Sequence, residues 1–281
     1  MILAPLRGVT IRCFRRAFAS EIAEAGFTEA VTPFITAMQG FDPLRDRELK
    51  GEEGIMVTPQ FISKDPIAMR WCLERVKEAG YTTADLNAGC PFPMVRNKGR
   101  GSGLLRTPDV LRRLLEAGCE VMGEGRFSIK ARLGIDRTDE LLALMPVINE
   151  FPLRHIAVHA RTARQMYEGS CDLEAFNAVA AASKVPVVYN GDATIPPSCM
   201  DKVSDTMIGR AFLRYLGEQD DSSRLLVRYI EMSKGELSGD RPVLGRIKEL
   251  VSYWKDLPYW RYRWHAVKIA RSVAELDMAV K

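Results

Sequence analysis

Short apolar runs alternate with amphipathic stretches along the first three quarters of the chain, and this rhythm limits the fold more than any other feature. Eight runs read as strands: "MILAP" at residues 1–5, "EAVT" at Glu29–Thr32, "IMVTPQF" at Ile55–Phe61 and "ADLN" at Ala84–Asn87. Then come "FSIKAR" at Phe127–Arg132, "HIAVHA" at His155–Ala160, "VPVVYN" at Val185–Asn190 and "TMIGR" at Thr206–Arg210. Helix-like stretches such as "IRCFRRAFASEIAEAG" and "TPDVLRRLLEAGCEVM" lie between them. The second opens with Thr107 as an expected N-cap and Pro108 at the first helical position. Eight apolar strands alternating with helices predict an α/β fold, a parallel (β/α)8 TIM barrel. The competing doubly wound sheet would carry a Gly-x-Gly-x-x-Gly turn after its first strand, and only Gly8 follows "MILAP".

Past Arg210 the strand rhythm stops and the remainder reads as helical, with breaks at Gly235–Gly239 and around Pro258. The expected organisation is a catalytic barrel over residues 1–215 and a small all-helical domain over 216–281. No apolar run is long enough to span a bilayer, and the amino terminus has no signal-peptide pattern, so a cytoplasmic protein is expected. A monomer is expected too, because no separate apolar interface segment stands out. The six cysteines, Cys13, Cys72, Cys90, Cys119, Cys171 and Cys199, form no Cys-x-x-Cys pair and have no histidine at ligand spacing. This argues against a metal site and a disulfide framework.

The net charge of +4 is unevenly spread. Between Arg241 and Arg271 lie Arg241, Arg246, Lys248, Lys255, Arg261, Arg263, Lys268 and Arg271, against only Glu249 and Asp256. Tyr253, Trp254, Tyr259, Trp260, Tyr262 and Trp264 are interleaved with them. Two readings are open for this segment: a nucleic-acid surface of cations and flat rings, or core aromatics beneath a solvated charged face.

In a barrel of this type the working residues lie at the carboxyl ends of the strands. Those ends carry Pro5, Gln60, Asn87 with Cys90, Lys130 with Arg132, His159 with Arg161, Asn190 with Asp192, and Gly209 with Arg210. The last two groups follow strands seven and eight, where Gly191, Gly209 and Arg210 suit a phosphate, hence a phosphorylated cofactor. The run Gly99, Gly101, Gly103 lacks the Lys-Ser/Thr ending of a phosphate loop and reads as a flexible lid bearing Cys90. On the residues alone, Cys90 is a core hydrophobe, a redox partner, a metal ligand or a catalytic acid.

Five motifs in order, "NAGCPFPMVRNKGRGSGLL", "SIKARLG", "VHARTARQMYEG", "YNGDA" and "MIGRA", resemble those of the tRNA-dihydrouridine synthases. The resemblance runs from "LAPLRGVT" to "MIGRAFL" and more weakly beyond. It implies an FMN-dependent barrel enzyme with a helical RNA-binding domain, reducing uridine in tRNA to dihydrouridine, with NADPH or NADH as reductant. It also implies that Pro5 and Leu6 underlie the flavin. Gln60, Lys130 and His159 would hold its polar groups, and Asn190, Gly191, Asp192, Gly209 and Arg210 its phosphate end. Asn87, Arg132 and Tyr167 match positions facing the uracil, and Cys90 the general acid. The RNA grip falls to Arg246, Lys248, Arg261, Arg263, Lys268 and Arg271. A thiol suits the proton donor, since its ordinary pKa near 8.5 keeps it mostly protonated at neutral pH. Leu6 replaces a usual methionine and Ala160 a usual glycine, and Pro196 and Pro197 lie in a shortened segment before the last strand, where a stunted helix is expected. The rival readings are a flavoenzyme acting on a free pyrimidine, as a dihydroorotate or dihydropyrimidine dehydrogenase does, the same chemistry on rRNA, and a non-catalytic RNA-binding barrel.

Overall fold

The computed structural model describes residues 1–49, 54–195 and 203–280. Its strands are Ile2–Leu3 (β1), Glu29–Val31 (β2), Ile35–Thr36 (β3), Met56–Thr58 (β4), Gln60–Ile62 (β5), Ala84–Ala88 (β6), Phe127–Gly134 (β7), Ile156–Thr162 (β8), Val187–Asn190 (β9) and Asp205–Ile208 (β10). All pairs are parallel, in the order β3-β5-β6-β7-β8-β9-β10-β1-β2-β4. The ring closes through Pro59. Thr58 O accepts from Thr32 N at 3.0 Å and Pro59 O accepts from Asp85 N at 2.9 Å. Thus β4 and β5 are halves of one barrel strand, and β2 and β3 likewise flank Pro33. Proline has no N–H to donate to a ladder, so each proline splits its strand in two. The strand expected over Ile55–Phe61 is therefore two strands, and β3 was not anticipated.

Among the described residues, ten α-helices precede the last two: Arg12–Ala17 (α1), Ala19–Glu24 (α2), Pro66–Glu78 (α3), Pro93–Arg96 (α4), Pro108–Met122 (α5), Glu140–Ile148 (α6), Leu173–Ala182 (α7), Arg210–Glu218 (α8), Ser222–Glu236 (α9) and Asp240–Ser252 (α10). Trp264–Ile269 (α11) and Val273–Val280 (α12) end the described chain. Asp65 caps α3 through Ile67 N and Ala68 N, as a short carboxylate at N-cap should. Thr107 sits at the start of α5 but makes no capping bond; its hydroxyl turns back to Leu104 O at 3.3 Å. The expected stunted helix around Pro196 and Pro197, and Cys199 with it, lie outside the described residues.

The all-helical carboxyl-terminal region packs on the barrel's first helices. Tyr229 of α9 meets Phe14 and Phe18 at ring-centroid distances of 5.7 and 5.3 Å. Trp254 and Trp260 are fully buried and 4.9 Å apart. Their indole N–H groups donate to Leu213 O at 2.5 Å and Ser222 Oγ at 3.1 Å, which satisfies the one polar atom each ring carries. Among the described residues, no helix is long and apolar enough to cross a membrane.

Strand periodicity places the site. Alternate residues of a barrel strand point inward, and a small interior cluster of Ile2, Ala4, Val31, Ala157, Val188 and Met207 fills one side of the barrel. Across the register, Asp85 pairs with Ser128, Asn87 with Lys130, and His159 with Asn190. Polar side chains therefore collect inside the barrel toward the carboxyl ends of the strands.

Candidate active site at the barrel mouth

Lys130, Arg132, His159, Asn190 and Asn87 converge on a cleft enclosing about 730 Å³, its open mouth included. Pro5, Leu6, Cys90, Tyr167, Gly191, Gly209 and Arg210 also line it, so most of the residues singled out in the sequence meet in one place. Arg7, Phe34 and Gly89 line it as well and were not foreseen. Gln60 and Asp192 stand apart from the lining. Gln60 lies directly behind Asn87, and Asp192 sits at the rim, ion-paired with Arg161 and Arg210.

A chain of buried hydrogen bonds fixes Asn87. Asp85 accepts from Ser128 Oγ and from Gln60 Nε2, each at 2.7 Å. The Gln60 oxygen then accepts from Asn87 Nδ2 at 2.7 Å. This leaves Asn87 Oδ1 to accept from Gly89 N at 3.2 Å and Cys90 N at 2.9 Å. An ionised carboxylate only accepts, so Asp85 dictates the orientation of both amides in turn. Burial pushes the Asp85 pKa up to about 6 despite these bonds. Asp85 was missed, although its parity with Asn87 in "ADLN" places it inward.

Cys90 is buried in the turn after β6. Its carbonyl accepts from Ser102 N at 3.1 Å and Ser102 Oγ at 2.9 Å. The expected flexible lid is a packed structure instead: Gly101–Arg106 forms a 3₁₀ turn with its first five residues buried. A side chain on Gly101 would bring its Cβ within 2.8 Å of Cys90 Cβ, and one on Gly103 would collide with Arg96 O. The glycines serve close approach, not mobility. Burial raises the Cys90 thiol pKa, opposed by the Phe92 amide and then by Arg7, Arg132 and Lys130, so the thiol is held protonated.

The cleft is cationic. Among its described lining residues there is no carboxylate beside Arg7, Lys130, Arg132 and Arg210, and only Arg210 meets one at the rim, Asp192. Burial, then the Arg132 charge, lowers the Lys130 pKa to about 8; its ammonium donates to Asn190 Oδ1 at 2.9 Å. Arg132 is pinned by Gly89 O at 3.0 Å, Thr162 O at 2.8 Å and Met166 O at 2.7 Å. Burial lowers its pKa to about 10, which leaves it charged. Met166 takes φ +53°, a strained value for an unbranched side chain, and the turn it makes delivers its carbonyl to Arg132. The next residue, Tyr167, packs beside the guanidiniums of Arg132 and Arg210, 5.3 and 4.9 Å from its ring centroid. His159 is held neutral by burial and by the surrounding cations, and its Nδ1 is buried without a partner.

These features fit an anionic, phosphorylated ligand such as FMN. An orphaned imidazole nitrogen and a partly desolvated ammonium both lack what such a ligand provides. The amino terminus of α8 has no side-chain cap, and Gly209 and Arg210 bring it to the cleft. Gly191 has a further role: a Cβ there would press on Cys171 Sγ and the Tyr189 hydroxyl.

Residues 2–215 match the family described as dihydrouridine synthase (Dus). The chain belongs to the dihydrouridine synthase family. It is 30% identical to tRNA-dihydrouridine synthase B of Vibrio cholerae over 197 residues, covering 70% of this chain and 61% of that one. It is 34% identical to a probable tRNA-dihydrouridine synthase of Rhodobacter capsulatus over 200 residues, covering 69% and 60%. This family member thus spans about three fifths of the length of these curated relatives. Among solved structures, the fold resembles morphinone reductase, with TM-score 0.55, 11% identity and coverage of 81% and 85% of the two chains. It also resembles the old yellow enzyme homologue of Zymomonas mobilis, with TM-score 0.54, 11% identity and coverage of 81% and 88%.

The residues expected to grip RNA divide into two groups. Arg246 Nη1 donates to Gly8 O at 2.8 Å and Lys248 Nζ to Ala270 O at 2.5 Å, so both are engaged within the protein. Arg263 and Arg261 instead stack on Tyr259 and Tyr262, 3.9 and 4.4 Å from the ring centroids, and both tyrosines are exposed. Lys268 and Arg271 are exposed as well. The basic aromatic segment is therefore core in part, with Trp254 and Trp260 buried, and surface in part, where the Tyr–Arg pairs lie.

Proposed function

We propose that this chain is an FMN-dependent tRNA-dihydrouridine synthase, using NADPH or NADH as reductant and Cys90 as proton donor. The observation that carries the reading is the Cys90 side chain, buried in the wall of a cationic cleft beside Asn87, Lys130, Arg132 and His159. FMN, when bound and reduced, supplies the hydride for carbon 6 of the uracil. Lys130, His159 and Arg210 would hold its anionic and acceptor groups, with Pro5, Leu6, Asn190, Gly191 and Gly209 shaping the bed.

Cys90 keeps a proton at Sγ because burial disfavours the thiolate, and it delivers that proton to carbon 5. Asn87, oriented by Gln60 and Asp85, presents its amide to the base. Arg132, fixed by three carbonyls, stabilises negative charge developing on a uracil carbonyl without having to reorient. Tyr167 offers a flat face to the flipped base. Residues 216–281 form the RNA-binding domain, in which Arg261, Arg263, Lys268 and Arg271 neutralise phosphates and Tyr259 and Tyr262 stack. The test is dihydrouridine mapping in tRNA and rRNA from cells with and without the gene. Loss at particular tRNA positions supports the reading, loss only in rRNA replaces the substrate, and no loss overturns it.

A further inference from the structure

Arg246 stands where a helix of the carboxyl-terminal region touches the turn that floors the cleft. From α10, its Nη1 donates to Gly8 O at 2.8 Å. Gly8 has φ +85°, and a Cβ there would lie 2.6 Å from Arg246 Nη1 and 3.2 Å from Glu249 Oε2. The arginine and its neighbouring glutamate thus occupy the space a side chain would fill. The turn is otherwise held from within: Val9 N and Thr10 N both donate to Leu6 O at 3.0 and 3.1 Å, and Thr10 Oγ1 accepts from Leu6 N at 2.8 Å. Pro5, Leu6 and Arg7 of this turn all line the cleft. Only Arg7 lies between Gly8 and Leu6, so a shift at one end reaches the other.

We propose that Arg246 is a positioning residue, holding Gly8 so that the turn presents Pro5, Leu6 and Arg7 to the cofactor, rather than an RNA contact. The proposal rests on the cleft's being the FMN site. The carboxyl-terminal region is then part of the cofactor bed's framework, and whatever binds that region acts on the bed through α10.

The test uses the full chain without RNA, comparing Arg246→Met and Arg246→Lys with the unaltered protein. The first readout is FMN titration, following affinity and the visible absorption of the bound flavin. The second is amide hydrogen exchange at Val9 and Thr10 without flavin. The third is tRNA affinity as a function of salt. Loss of a hydrogen bond from a charged donor predicts about tenfold weaker FMN binding for Arg246→Met, with an altered flavin spectrum and about tenfold faster exchange at Val9 and Thr10. Arg246→Lys, which retains a donor, should recover most of each. If Arg246→Met binds FMN and exchanges as the unaltered protein does, the proposal is overturned; a salt slope lowered by about 1 would then make Arg246 a phosphate contact. If the unaltered chain binds no FMN, the cofactor reading fails, and the exchange data alone decide whether Arg246 orders the turn.

Discussion

Lys130 Nζ donates to Asn190 Oδ1 at 2.9 Å across the barrel mouth, and among the described residues this is its one hydrogen bond. The ammonium has two further hydrogens and little water, so without an anionic ligand it destabilises the fold. Its pKa in the folded chain is about 8, below the ordinary 10.5. The unfolded chain therefore binds the extra proton between these values, and this cost, fully present below pH 8, is relieved as pH rises toward 10.5. Lys130→Met should stabilise the flavin-free protein at pH 7 by about 1–2 kcal/mol, remove its stability gain between pH 8 and 10.5, and lose FMN binding. Urea denaturation at a series of pH values checks all but the last, which needs a titration.

Cys90→Ala should lower the rate of uridine reduction by about 10²–10⁴-fold, the usual weight of a general acid, while FMN binding stays within a few-fold. Because burial raises the thiol pKa, the alkaline fall of the normal enzyme's rate should begin at a higher pH than an ordinary thiol would give. Single-turnover assays on tRNA across pH 7–10 would measure both effects. An alkaline limb that persists unchanged in Cys90→Ala would assign the proton to another group.

Gly103→Ala should destabilise the protein by about 1–3 kcal/mol, since its Cβ must displace the Arg96 carbonyl. Gly101→Ala adds a positive φ of 57° to its encounter with Cys90 and should cost at least as much. Equilibrium unfolding measures this. A flexible lid would tolerate both changes.

Arg261→Ala and Arg263→Ala should each weaken tRNA binding and reduce the salt slope by about 1. Lys248→Ala should leave that slope unchanged and cost about 1 kcal/mol of stability, because its ammonium is bonded to Ala270 O. Filter binding at several salt concentrations, with thermal melts alongside, separates the two outcomes.

The barrel was legible because its strands carry unbroken apolar cores, and most of the cleft because chemistry gathers at strand ends. Proline hid the rest of the sheet: Pro33 and Pro59 each interrupt a ladder without ending the barrel strand, so β3 and the β4–β5 break had no separate periodicity. Asp85 was readable by alternation but looked like part of a strand seed. Arg7 and Phe34 follow short strands, and only the folded turns bring the Arg7 guanidinium 5.2 Å from the Phe34 ring centroid. The glycine run misled because composition cannot distinguish a glycine that moves from one that lets two backbones meet. Arg246 and Lys248 looked like their basic neighbours, since only tertiary contact separates an engaged cation from a free one.

A cleft lined by three guanidiniums and an ammonium, with no carboxylate among its described lining residues, should behave as a single-site ion exchanger. On the proposed cofactor reading, phosphate, sulfate or citrate in a purification buffer should compete with the flavin for it, and protein prepared in them should emerge pale and take up flavin slowly. The same chain eluted in a buffer of large, weakly coordinating anions should retain its yellow colour.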